Sequence, residues 1–162
     1  MPPTHHPRPE ALADFLIGNC SPGAALLITQ HTQRCTRCAG RVRAMGAVNA
    51  DVAELRYGSP RSLGPGLEGT PLIGVSGLGE AVFHLKVDPG CETPVQALHI
   101  AEILILEGAL KVDGERYAPG DLLSVEARPD ARVVAHATKG CACLVVADDA
   151  ADEPQTADGT AD

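Results

Sequence analysis

Histidine and cysteine side chains near the start of the chain restrict its possible folds more than any other feature. Residues 31–38 read HTQRCTRC, so a histidine and two cysteines follow one another at spacings of four and three residues. These spacings place His31, Cys35 and Cys38 on one face of a helix, or of a helix that runs into the next turn. Two further histidines, His5 and His6, precede them in an N-terminal arm, residues 1–8. A fourth ligand from this arm would complete a Cys2His2 shell, the donor set of a structural zinc site.

Two other interpretations of the same residues stay open. A CxxC pair such as Cys35 and Cys38 can be a redox-active dithiol, and both cysteines could also be core residues beside a surface histidine. The in-phase histidine and the upstream pair favour zinc. Because four ligands leave no open position for a substrate, we expect one structural zinc ion, whose removal unfolds the helices that it joins.

The composition excludes several classes of function. The chain has 162 residues, a net charge of −8 and only 2% aromatic residues. An acidic protein with few rings binds phosphate backbones and unstacked bases poorly, so we expect no direct contact with nucleic acid. No apolar run reaches the roughly 18–20 residues that span a bilayer, and the N-terminus lacks a basic-then-apolar leader. We therefore expect a cytoplasmic protein that does not contact the membrane.

The six cysteines include two pairs at short spacing. In a chain without an export signal, such cysteines are expected as metal ligands or free thiols rather than disulfides. Cys141 and Cys143 lie two residues apart and so face the same side of a strand, a poor geometry for a disulfide. We expect buried thiols there, with a redox or second-metal role together with Cys91 as the alternative.

The first third of the sequence has helical periodicity. It predicts helices over residues 10–18, over 24–35 behind a Ser21-Pro22 cap, and over about 36–55. One apolar stripe marks the third of these helices: Val42, Met45, Val48, Val52 and Leu55. We take residues 1–56 as a zinc-binding helical domain, which is too small to be very stable without its metal.

From residue 71 the pattern changes to short strands separated by turns. Alternation from Ala81 to Val87 predicts a half-buried strand, and Asp113-Gly114 predicts a hairpin. Six or seven such strands without a helix predict an all-β barrel or sandwich over residues 71–148. Residues 57–70, rich in Gly, Pro and Ser, are predicted to be a linker, and residues 149–162 a disordered acidic tail. The expected fold class is therefore α+β in two domains.

Taken together, these segments resemble the ChrR-type anti-sigma factors. Residues 5–46 are similar to that family's zinc-binding anti-sigma domain in the order of the histidine pair, the short helices and the HxxxCxxC motif. Residues 79–147 resemble its cupin-like domain, a jelly-roll barrel, in the segments EILILEG, YAPGD and GCACL. The resemblance implies the zinc ligands His6, His31, Cys35 and Cys38, with His5 as the substitute for His6.

The resemblance also implies a function. The protein would be an anti-sigma factor that sequesters an ECF-type RNA polymerase sigma factor, with the cupin-like domain as a sensor or a protective cap, and it would not be an enzyme. The helices would dock in a groove of the sigma factor. Some apolar side chains could supply either this contact or the core, namely Leu12, Phe15, Leu16, Leu26 and Leu27.

The cupin-like segment departs from its relatives at the usual metal site. Cupins commonly hold a metal with an HxHxxxE segment and a later histidine, and the matching positions here are Val95, Ala97, Ala101 and Ala131. Glu102 is one residue out of register and points to the opposite face of its strand. We expect a degenerate site without a second metal, although a single gap could bring His99 or Glu102 back to the cavity. The alternative function is a small cupin metalloenzyme, a dioxygenase or isomerase, with an accessory zinc module.

Overall fold

The computed structural model describes residues 2–45, 55–74, 80–125 and 131–148. Within these ranges three helices come first, α1 (Pro9–Leu16), α2 (Pro22–Arg34) and α3 (Thr36–Ala44). The cap at Ser21 is as predicted, because its hydroxyl oxygen accepts a hydrogen bond from the amide of Ala24 at 3.1 Å. The helix itself begins at Pro22, two residues before the predicted start at residue 24. None of the described helices is long and apolar enough to cross a membrane.

The third helix ends earlier than the sequence predicts. The amide of Met45 donates to the carbonyl oxygen of Arg41, closing the last turn, and the Met45 side chain is 64% exposed. Met45 was predicted to belong to a buried apolar stripe, and that prediction is wrong. Two other members of the stripe, Val48 and Val52, lie outside the described residues. A physical reason is visible in the sequence, where Gly46 follows directly and glycine favours the end of a helix.

Ten strands follow among the described residues, and eight of them lie wholly within residues 71–148, where six or seven were predicted. They are β1 (Arg61–Gly64), β2 (Leu67–Pro71), β3 (Glu80–Val87), β4 (Glu92–Thr93), β5 (Ile100–Gly108), β6 (Leu110–Val112), β7 (Glu115–Tyr117), β8 (Leu122–Ser124), β9 (Val133–Ala135) and β10 (Cys141–Asp148). They form a six-stranded antiparallel sheet in the order β1-β2-β3-β10-β5-β8 and a four-stranded one in the order β4-β9-β6-β7. The predicted hairpin between β6 and β7 is confirmed, with positive φ at both Asp113 (52°) and Gly114 (86°).

Residues 57–70 differ from the predicted linker. They contain β1 and β2, which pair with each other, and β2 also pairs with β3. Gly66 turns the chain between the two strands at φ +71°, and Leu67 is buried in the core. The small residues that suggested a flexible connection therefore build an edge hairpin of the six-stranded sheet. The predicted tail, residues 149–162, lies outside the described residues.

Successive residues of β5 bury opposite faces of the six-stranded sheet. Ile103 and Ile105 point into a core that both sheets share, while Leu104 points to the outer face. On that outer face, Leu27 and Leu12 from the helices pack against the strands. Three helices thus cover one side of a β-rich fold, and this packing brings the end of α2 close to the turn between β7 and β8.

Candidate metal centre

Four of the residues predicted from the sequence meet at one point. His6 lies in the arm before α1, His31 in the last turn of α2, Cys35 between α2 and α3, and Cys38 in the first turn of α3. One ligand atom from each lies within 4.8 Å of the others. The Nδ1 atom of His6 is 3.4 Å from both Sγ atoms. The cluster could hold a metal ion.

The break between α2 and α3 brings the ligand atoms together. Cys35 ends α2 in an extended conformation (φ −128°, ψ 103°), so the chain changes direction there, and its Sγ caps α3 by accepting from the amide of Cys38 at 3.4 Å. His31 precedes Cys35 by one helical turn, which keeps both on the same face. The spacing allowed either one continuous helix or a helix that runs into the next turn. The structure has the second arrangement, with Cys38 in the following helix.

His31 is prepared to bind a metal through its second ring nitrogen. Its Nδ1 atom lies 2.6 Å from the carbonyl oxygen of Gly120, an acceptor only, so Nδ1 must carry the proton and donate. The ring is fully buried, and Nε2 has no hydrogen-bond partner. A buried polar atom without a partner is rare and destabilising. A metal ion bound at Nε2, with the carbonyl fixing the other nitrogen, would remove this penalty.

The surroundings favour the uncharged forms of His6, His31 and Cys38. Burial lowers the pKa of His31, and burial together with the positive charge of Arg37 lowers that of His6. Burial and the neighbouring Cys35 raise the pKa of the Cys38 thiol to about 11. Neutral imidazoles are the ligand form of histidine. The thiols, in contrast, must lose protons to bind a cation, which a divalent ion promotes.

His5 faces away from the cluster, towards two carboxylates. Its Nδ1 lies 3.0 Å from Oδ2 of Asp121 and its Nε2 lies 2.9 Å from Oε1 of Glu115. Burial lowers the pKa of His5, but the hydrogen bonds to Glu115 and Asp121 outweigh this effect, and the net shift is upward. The ring centroids of His5 and Tyr117 are 3.9 Å apart. In this structure His6, and not His5, supplies the arm's nitrogen to the cluster.

The positions that correspond to cupin ligands are scattered. Val95 is buried in the core and Ala131 packs against it, whereas Ala97 and His99 are exposed. Glu102 pairs with Val146 of β10, whose side chain is part of the helix-facing core. Glu102 therefore points away from the interior between the sheets, as predicted. Within the described ranges, the only group of three or more His, Cys, Asp or Glu residues close enough to share a metal is the Cys2His2 cluster.

The remaining cysteines are free thiols. All six cysteines in the chain are unpaired, and Cys141 and Cys143 are buried in the core between the sheets. Their proximity raises the pKa of Cys143 well above its ordinary value, and burial adds to the effect. They fit the buried thiols that the sequence predicts.

Sequence reasoning missed two residues that contact the centre from the β-rich part. Gly120 accepts the hydrogen bond from His31, and Asp121 binds the arm beside His6. The segment YAPGD contributed only to the resemblance, and a Pro-Gly-Asp run predicts a turn and no more. Only the packing of α2 on the sheet brings this turn to the metal cluster.

One solved structure shows a likeness along almost the whole chain, and others along part of it. One chain of the crystal structure of Rhodobacter sphaeroides SigE in complex with the anti-sigma ChrR superposes with a TM-score of 0.70 at 20% identity, covering 90% of this chain and 99% of that one. KdgF from a Halomonas species has a TM-score of 0.43 at 22% identity and covers 55% of this chain and 84% of its own. A cupin 2 conserved barrel domain protein from Salinispora arenicola has a TM-score of 0.40 at 22% identity, with coverages of 68% and 94%. The last two likenesses are too weak to support an assignment.

No family model matches the sequence, and no curated protein does. At 20% identity, the likeness to the chain from the SigE–ChrR complex concerns the fold. It confirms at that level the resemblance to ChrR-type anti-sigma factors that the sequence indicates. The protein has a β-rich fold of two antiparallel sheets with a Cys/His cluster among its helices, and it shares this fold with a chain of an anti-sigma complex.

Proposed function

We propose that this protein is a zinc-dependent anti-sigma factor that binds an ECF-type sigma factor and keeps it from RNA polymerase. One observation carries the proposal: His6, His31, Cys35 and Cys38 converge where the arm, α2 and α3 meet. The similar fold of a chain from the SigE–ChrR complex supports it. An acidic chain that binds nucleic acid poorly would act on transcription through a protein partner.

The donor set favours zinc over other metals. Two thiolates with two imidazoles suit a tetrahedral zinc ion, and such a closed shell is structural. The buried, unpartnered Nε2 of His31 and the buried thiols of Cys35 and Cys38 fit that ion. When bound, zinc would supply a cross-link between the arm, α2 and α3, and no catalytic position.

Residues 1–56 would be the sigma-binding part, and residues 71–148 a jelly-roll sensor or protective cap. Residues 57–70 would join them through the β1–β2 hairpin. The barrel would not be an enzyme, because the positions that usually hold a cupin metal carry no ligating side chain, for example Val95 and Ala101. The expectation of no second metal rests on the same positions.

The exposed apolar side chains of the helices indicate where the sigma factor would dock. Leu12 and Leu27 are 3% and 0% exposed and belong to the core. Phe15 and Leu26 pack partly against the same core. Ile17, directly after α1, remains 75% exposed. We place the contact on the outer side of α1, where Ile17 can enter an apolar groove of the partner.

The first partner to test is an ECF-type sigma factor encoded beside this chain. Co-expression of the full chain with it should yield a 1:1 complex with one zinc ion. A Cys35→Ser/Cys38→Ser double variant should lose both zinc and the complex, whereas Cys20→Ser, a half-buried thiol outside the cluster, should keep both. Wild-type protein loaded with zinc but unable to bind the sigma factor would contradict the function. A redox-active metal held by residues 71–148 would favour the cupin metalloenzyme instead.

A further inference from the structure

We infer that Asp121, on the turn of residues 118–121 in the β-rich part, is a positioning residue of the metal centre. It would hold the arm so that His6 reaches the ion, and it would couple the β-rich part to metal binding. This inference rests on the proposed metal site and adds a regulatory connection to it.

The Asp121 carboxylate binds the arm at the residues directly before His6. It is fully buried, and its Oδ1 accepts from the amides of Thr4 at 2.8 Å and His5 at 3.1 Å. Its Oδ2 lies 3.0 Å from Nδ1 of His5 and accepts from the amide of Ala118 at 2.8 Å. One carboxylate therefore fixes two consecutive peptide groups and one side chain of the arm.

The same turn also contacts His31, another of the four proposed ligands. The carbonyl oxygen of Gly120 orients His31 through the 2.6 Å hydrogen bond to Nδ1. Its missing side chain leaves room for the arm, because a Cβ atom at position 120 would lie only 2.6 Å from Cγ of Pro3. The amide of Leu122 donates to the carbonyl oxygen of His5 at 3.2 Å. Three consecutive residues of the β-rich part thus contact His31 directly and hold the arm at the residues just before His6.

These contacts should strengthen metal binding because they order the arm in advance. His6 lies outside the three helices, so an unrestrained arm would lose conformational freedom each time an ion bound. Contacts that restrain the arm in the bound conformation remove that loss from the binding step. Because coupling between two sites is reciprocal, metal binding should in turn tighten the arm against the turn. A change in the β-rich part that loosened this turn would then weaken the metal centre.

The test compares two variants of the full-length protein that each remove one charge. Asp121→Asn keeps one acceptor oxygen but replaces the other by an amide NH2, which cannot accept a hydrogen bond. In one orientation this group faces the donors Ala118 N and His5 Nδ1, and in the other it faces the amides of Thr4 and His5. Asp113→Asn is the control, since its side chain accepts from the amide of Arg132 and does not contact the arm. Zinc affinity is measured by competition with a chromophoric chelator, with melting curves of the zinc-loaded proteins as the check on folding.

Asp121→Asn should weaken zinc binding about 10- to 100-fold, the scale of losing a hydrogen bond to a charged group, because the arm that carries His6 is then no longer held. Asp113→Asn should stay within about twofold of wild type. The visible spectrum of the Co²⁺-loaded Asp121→Asn protein should also differ from wild type, because His6 no longer stays bound. A purely structural role would lower the melting temperature and leave the spectrum unchanged.

A milder variant covers the case in which Asp121→Asn does not fold. His5→Ala removes the side-chain bonds to Asp121 and Glu115 but keeps both backbone bonds of residue 5, and it should weaken zinc binding about fivefold, the effect of about one hydrogen bond. Wild-type affinity and spectrum in every variant that folds would overturn the inference while leaving the proposed function intact. If wild-type protein itself binds no zinc, the proposed function fails first.

Discussion

The Nδ1 atom of His6 lies 3.4 Å from the Sγ atom of Cys38, although 32 residues separate them in the sequence. This contact joins the arm to the first turn of α3, and Cys35 lies at the same distance from the same nitrogen. A metal ion between these atoms would therefore connect parts of the chain that share no strand or helix. The predictions below follow from that connection.

Removing one sulfur ligand should release the metal and loosen the helices. We expect Cys38→Ser to lose its zinc and to show reduced helicity by circular dichroism, because metal binding and folding are coupled in such sites. The β-sheet signal should persist, since the core between the sheets contains neither the cluster nor a helix. Cys20→Ser is the control and should resemble wild type. A zinc-free Cys38→Ser protein with full helix content would contradict the coupling.

Substitutions of apolar residues in and beside the helices should distinguish core residues, which affect stability, from exposed residues, which do not. Leu27 is fully buried against the sheet, so Leu27→Ala should lower the free energy of unfolding by about 2–5 kcal/mol through lost burial and a new cavity. Ile17→Ala changes a side chain that is 75% exposed and should alter stability by less than about 0.5 kcal/mol. Denaturant titration measures both effects.

Affinity for the sigma factor should depend on Ile17, the residue that contributes little to stability. Ile17→Ala should weaken the complex at unchanged stability, as read by calorimetric titration of the partner. An Ile17→Ala variant that binds the sigma factor as tightly as wild type would contradict the contact that we propose at Ile17.

Zinc binding should depend steeply on pH. In the metal-free protein the Cys38 thiol has a pKa raised to about 11, so at neutral pH it is protonated and must release its proton when the ion binds. The affinity for zinc should therefore rise with pH across the whole range up to about 11 and fall as the solution is acidified. Calorimetric titrations in buffers of different ionisation enthalpy count the protons released. Fewer than one proton per zinc ion at pH 7 would show that Cys38 is not a ligand.

The sequence was most informative where a local pattern decides the structure. The spacing of His31, Cys35 and Cys38 needs only one helix and the next turn to bring the side chains together. The cap at Ser21 and the Asp113-Gly114 hairpin likewise depend on a few neighbouring residues. The structure contains the cap and the hairpin and brings the three side chains together, whereas metal binding and the identity of the ion stay proposals.

Long-range packing could not be predicted in the same way. The hairpin of β1 and β2 consists largely of residues typical of loops, and it exists because β2 pairs with β3. The buried side chain of Leu104 fits a strand covered on both sides, but nothing in the pattern says that α2 is the cover. In the sequence, Asp121 cannot be distinguished from a carboxylate of a surface turn. Only the packing of α2 on the sheet places it against the arm.

X-ray absorption at the zinc edge of the purified full-length protein tests the central claim most directly. If His6, His31, Cys35 and Cys38 hold the ion, the first shell will contain two sulfur atoms at about 2.3 Å and two nitrogen atoms at about 2.0–2.1 Å. A shell with fewer than two sulfurs, or without the outer-shell scattering of two imidazole rings, would contradict a closed Cys2His2 centre.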